Sequence, residues 1–119
     1  LFSRFHGLDH SDRRTIYLLN TDWASDQDQR PATFIYKGKK FPVVVRRYHI
    51  ETIHCADGLA VMPASNTTDI LSVCKRENGW VVKVQTTGND VVQCMNAVTG
   101  KVEPIKFDEP GVHEVFVNE

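Results

Sequence analysis

The sequence has no long apolar run. Its apolar stretches, such as Val43–Val44–Val45 and Leu59–Ala60–Val61–Met62, fall far short of the roughly 20 residues a helix needs to cross a bilayer, so no membrane span is expected. It also lacks an excess of either charge: 14 Lys and Arg face 15 Asp and Glu, for a net charge of −1. Such a chain carries no global field to recruit nucleic acid or an anionic surface. Basic pairs stand at Arg13–Arg14, Lys39–Lys40, Arg46–Arg47 and Lys75–Arg76, but acids elsewhere offset them, and nucleic acid is not expected as a partner.

Cysteine is scarce. Cys55, Cys74 and Cys94 cannot all pair within one chain, and none has the Cys-x-x-Cys spacing of a zinc or redox site. Each sits in an apolar run, which favours buried free thiols; one disulfide plus one free thiol is the alternative. A Gly-x-Ser-x-Gly elbow, a phosphate-binding loop and a dinucleotide fingerprint are all missing, so no catalytic residue and no cofactor is assigned. Helical periodicity is missing too, since no window keeps apolar residues at three- and four-residue spacing over the length a helix needs.

Strand signals are abundant instead. Thr15 to Leu19 is β-branched, aromatic and aliphatic on both faces, as in a core strand. Ala32 to Tyr36 and Phe41 to Val45 flank Lys37–Gly38–Lys39–Lys40 and read as a hairpin with a solvated tip. Pro42 has no amide donor, so its strand is expected to lie at a sheet edge or to begin there. Further strands are expected at Tyr48 to His54, Leu59 to Met62, Asp69 to Lys75, Trp80 to Thr86, Val91 to Met95, Lys101 to Phe107 and Val112 to Val117. Breaks at Asp57–Gly58, Asn78–Gly79, Gly88–Asn89–Asp90, Gly100 and Pro110–Gly111 separate them. The expectation is one all-β domain: a two-sheet antiparallel β-sandwich, immunoglobulin-like or jelly-roll-like, of roughly eight to ten short strands. The 119 residues, 41% of them hydrophobic, suit one core. Leu1 to Asp12 is polar and reads as a connector from an upstream domain, with the sandwich over residues 13–119. Leu1 to His6 lacks the layout of a signal peptide, and the chain is expected to be part of a longer protein.

The candidates for chemistry are few. His49–Ile50–Glu51 matches half of a zinc deaminase site, but no Pro-Cys-x-x-Cys follows, and His49 and His54 fall on opposite faces of a strand. His6 and His10, near Asp9 and Asp12, would meet on a helix that Gly7 argues against. No metal site is expected. Asn66–Thr67–Thr68 matches a glycosylation acceptor pattern that arises often by chance. Asp22, Asp26 and Asp28 share one polar loop; they lack the glycine and distal glutamate of a calcium loop, and they lack a facing carboxylate for glycoside cleavage. Trp23 stands among them. A sugar's apolar face stacks on Trp while its hydroxyls bond to flanking carboxylates, which makes Trp23, Asp22, Asp26 and Asp28 the candidate ligand-binding group. Alternatively, Trp23 folds back to close the end of the sandwich. Trp80, which opens an apolar strand, reads as core.

Five features together resemble a known family. They are the run Thr15–Ile16–Tyr17–Leu18–Leu19–Asn20–Thr21–Asp22–Trp23, the polar loop after it, the turn at Gly38–Lys39, the Gly-Leu-x-Val-x-Pro segment at Gly58 to Pro63, and the Gly-x-x-Glu-Val segment at Gly111 to Val115. The chain resembles, over most of Arg13 to Glu119, the β-sandwich domains at the C-terminal end of large bacterial glycoside hydrolases and related polysaccharide-degrading proteins. The resemblance implies a non-catalytic accessory domain in an extracellular or periplasmic parent. Its partner would be the catalytic domain of the same chain, with polysaccharide as a second. A carbohydrate-binding module using Trp23, and a protein-interaction domain with an exposed edge near Pro42, are the other readings.

Overall fold

A computed structural model of the chain describes residues 2–6, 13–19, 29–46, 50–64 and 67–119. Eleven strands run through them: β1 (Phe2–His6), β2 (Arg13–Leu19), β3 (Gln29–Tyr36), β4 (Lys39–Arg46), β5 (Ile50–Ala56), β6 (Leu59–Pro63), β7 (Asp69–Arg76), β8 (Gly79–Thr86), β9 (Asp90–Asn96), β10 (Val102–Phe107) and β11 (Gly111–Asn118). All pairings are antiparallel. The fold is all-β and consistent with a sandwich, as its alternating pattern and turn residues require. The strands form three sheets: six strands in the order β1-β2-β5-β6-β9-β10, three in the order β11-β8-β7, and the β3–β4 hairpin. Phe2–His6, inside the stretch read as a connector, pairs with β2 as an edge strand.

Where composition suggests one core, the structure has two, on opposite faces of the six-stranded sheet, because that sheet is covered on both sides. Along β6, Ala60 and Met62 face the first core while Leu59 and Val61 face the second, the period-two alternation of a strand buried on both sides. The hairpin closes the first core with Phe34, Tyr36, Phe41, Val43 and Val45, laid over Ile16, Leu18 and Ile53. The three-stranded sheet closes the second with Val73, Trp80, Val82, Val84 and Val117, laid over Val92 and Phe107. This division explains the cysteines. Cys55 is buried in the first core and Cys94 in the second, Cys74 is partly exposed, and no disulfide joins them.

The turns follow their residues. Lys37 and Gly38 have φ of 49° and 78°, and Asp57 and Gly58 have 49° and 101°. Both pairs are therefore two-residue turns of the mirror-image type that matches strand twist. The Asn78–Gly79 break differs from expectation: Glu77–Asn78 make the turn and Gly79 opens β8, paired with both Arg76 and Asn118. A Cβ on Gly79 would run into the Val117 carbonyl and lie 2.9 Å from Phe116 Cζ. Glycine is needed there for the close passage of β11, not for the turn.

Hydrogen-bond parity accounts for the prolines. In a two-residue hairpin the closing pair, here Tyr36 and Lys39, is hydrogen-bonded, and bonded pairs then alternate. Pro31 and Pro42 fall on unbonded pairs, so their missing N–H groups would have pointed off the hairpin edges. On β10, the bond from Asn96 N to Lys101 O sets the same parity and places Pro104 likewise. Proline is thus confined to free edges, as its chemistry demands.

Candidate functional site

The hairpin covers the first face from β2 across to β9 and leaves β10 uncovered. The step makes a cleft of about 480 Å³. One wall is β4, whose Pro42 and Val44 are exposed while Val43 faces the core. The floor follows from register: Met62, Gln93 and Pro104 stand in one row across β6, β9 and β10, and Ala60, Met95 and Val102 in another. Met62, Gln93, Met95 and Val102 line the cleft, with Pro63 and Ala64 beside them.

Arg46 and Glu51 close one end. Glu51 shares the parity of Ile53 and Cys55 and therefore points at the core face, where it is 3% exposed. A lone carboxylate buried so deeply would be costly. Arg46 Nε donates to Glu51 Oε1 at 2.6 Å, Nη2 donates to Oε2 at 3.0 Å, and the Arg46 backbone N–H reaches Oε1 at 3.4 Å. This fork-on-fork pair is the strong geometry for arginine and carboxylate. The hydrogen bond to Glu51 holds the Arg46 pKa above its ordinary value. With both oxygens accepting from Arg46, Glu51 is anchored.

Gln93 adds one open valence. Its Oε1 is buried with no hydrogen-bond partner among the described residues, an arrangement that a donor entering the cleft would satisfy. Among the described residues that line the cleft, none is aromatic.

A second recess of about 250 Å³ lies beside the second core, with Cys94, Asn96, Lys101, Glu103 and Asn118 in its lining. Asn96 Oδ1 accepts the backbone N–H groups of Val98 and Thr99, so this side chain shapes the turn into β10. Burial, with the Glu103 charge nearby, pushes the Cys94 thiol up to about 12. It is held protonated, which removes its nucleophilicity. Among the described residues no group of three His, Cys, Asp or Glu could hold a metal ion.

The sequence-derived candidates Trp23, Asp22, Asp26 and Asp28 lie outside the described residues, as do His10, His49 and Asn66. His54 is partly buried on the face of β5 turned away from the first core, and burial lowers its pKa. Trp80 is fully buried, as expected. Sequence reasoning passed over the Arg46–Glu51 pair, although a signal existed: an acid at the inward parity of an apolar strand requires a buried cation. Gln93 and Met62 carried no such signal, because only the pairing of β6 with β9 brings them together. Compared with family models, curated proteins and solved structures, the chain matches none.

Proposed function

We propose that this chain is a non-catalytic accessory β-sandwich of a larger carbohydrate-active enzyme, packing against the catalytic domain of the same parent and supporting its stability or geometry. The observation that carries this reading is the make-up of the cleft. Its described walls and floor are largely apolar, and the Arg46 and Glu51 charges neutralise each other at one end. An apolar centre with paired charges and an open acceptor is the composition of a protein contact surface. The resemblance at Thr15 to Trp23, Gly38–Lys39, Gly58 to Pro63 and Gly111 to Val115 supports the same parent class, one that works outside the cytoplasm.

The test compares the full gene product with a version lacking residues 13–119, and adds Val44→Asp, which places a charge in the cleft wall. The deletion is expected to lower the thermal midpoint of the catalytic domain, with Val44→Asp lowering it part of the way. An unchanged midpoint in the deletion would overturn the proposal. So would saturable binding of a polysaccharide by the isolated chain that disappears in Trp23→Ala, which would establish a carbohydrate-binding module instead.

A further inference from the structure

The described sheets end in six edges, and five carry a device against pairing. β3 has Pro31, β4 has Pro42 and Lys40, and β10 has Pro104 and Lys106. The β7 ladder is broken by a register shift between Ile70 and Ser72, and β1 runs only 5 residues. β11 has none of these: it is 8 residues long, pairs with β8 without interruption, and contains no proline and no lysine.

Parity fixes what this edge offers. The bond from Glu119 N to Asn78 O marks the bonded positions toward β8, so Gly111, His113, Val115 and Val117 bond inward. The N–H and C=O groups of Val112, Glu114, Phe116 and Asn118 therefore point off the edge. The same four side chains lie on the exposed side, with Val112 55% and Phe116 48% exposed.

We propose that β11 is a pairing edge for a second copy of this chain, joined antiparallel about a twofold axis through Val115. A β-strand is the protein partner that matches an alternating row of donors and acceptors in full, and β11 is complementary to itself in one register. Val112 stands opposite Asn118 of the second copy and Glu114 opposite Phe116, so every free group from Val112 to Asn118 is bonded. Sliding one strand by two residues either sets Glu114 against Glu114, a like-charge clash, or leaves Val112 with no opposite residue. In the assigned register the two Phe116 rings become diagonal neighbours, within reach of each other on the exposed face, and Val115 faces Val115 on the core side. The interface is isologous, and the two three-stranded sheets join into one of six strands. A net charge of −1 leaves little repulsion between copies. This inference rests on β11 alone and does not depend on the accessory-domain reading.

The test is sedimentation equilibrium of the chain over a wide concentration range. The mass is expected to rise from 13.5 kDa toward twice that value. Glu114→Pro removes one edge donor per copy, as Pro42 does on β4, and should weaken association on the order of tenfold or more. Phe116→Lys, at an exposed position, should weaken it too while the fold, read by circular dichroism, is unchanged. Register is read by oxidation: Val115→Cys should give a covalent dimer, while Val112→Cys and the parent chain should not. A parent chain that stays monomeric throughout would overturn the proposal, as would association unaffected by both edge variants. Crosslinking through Val112→Cys in place of Val115→Cys would overturn the assigned register.

Discussion

The two cores share one sheet and are closed in different ways. The first lies under a two-stranded hairpin and the second under three strands. The narrow lid is held by polar clamps at both ends: Arg46 and Glu51 at one, and at the other Tyr36, whose hydroxyl accepts the Gly58 N–H at 3.0 Å. The wide lid is held chiefly by apolar volume, including the fully buried Trp80. Both lids converge on the turn between β5 and β6. Tyr36 binds Gly58 from one side, and Trp80 Nε1–H donates to the Asp57 carbonyl at 3.3 Å from the other. A lid with little area to bury needs directional bonds to fix its position, whereas a wider lid is positioned by packing. Each leaves a different opening, the cleft beside β4 in one case and the open edge of β11 in the other.

The largest effect is expected where packing does the holding. Trp80→Ala removes the largest fully buried side chain and should cost about 3–5 kcal/mol, read as a lower urea midpoint. Because β6 and β9 supply side chains to both cores, the transition should remain single. Separate unfolding of the two halves would show that the shared sheet does not couple them.

Breaking the clamp comes next. Glu51→Ala leaves Arg46 without its carboxylate and should cost about 2–3 kcal/mol, below the range for fully buried pairs because the Arg46 side chain is 24% exposed. The double variant Glu51→Leu/Arg46→Met should recover most of that loss, since an apolar pair of similar volume leaves no buried charge. If both cost the same, the pair contributes through shape alone. Tyr36→Phe should cost less, about 1 kcal/mol, because one neutral hydrogen bond is lost and the ring remains.

The sequence made the second core more legible than the site. Period-two alternation and turn residues placed nearly every strand from Leu59 onward, and Trp80 between Gly79 and Val81–Val82 read directly as core. These signals are local, so a single chain carries them. The cleft is not local. Its floor depends on β6 pairing with β9 across the intervening β7 and β8, and its wall depends on where the hairpin stops. Gly79 shows the same limit: its neighbours in sequence suggested a turn, while the reason for glycine is β11, more than thirty positions later. Edge assignment was half legible. Pro42 marked an edge by its missing donor, but the openness of β11 emerges only when every edge is compared.

His54 gives the smallest effect and the finest distinction between the faces of β5. Its neighbours Ile53 and Cys55 point into the first core, while His54 points the other way, with Thr15 and Val61 beside it in register. Burial disfavours the imidazolium and lowers the His54 pKa from its ordinary 6.5. The folded chain then binds this proton less readily than the unfolded chain does. The stability tied to neutral His54 is fully present above the unfolded pKa and is lost as pH falls through it toward the lower folded value. Urea midpoints measured at about pH 7.5 and about pH 5.5 should therefore differ in the parent chain, and differ less in His54→Gln, which cannot titrate. An equal pH response in both chains would place the titrating group elsewhere and leave that face of β5 electrostatically silent.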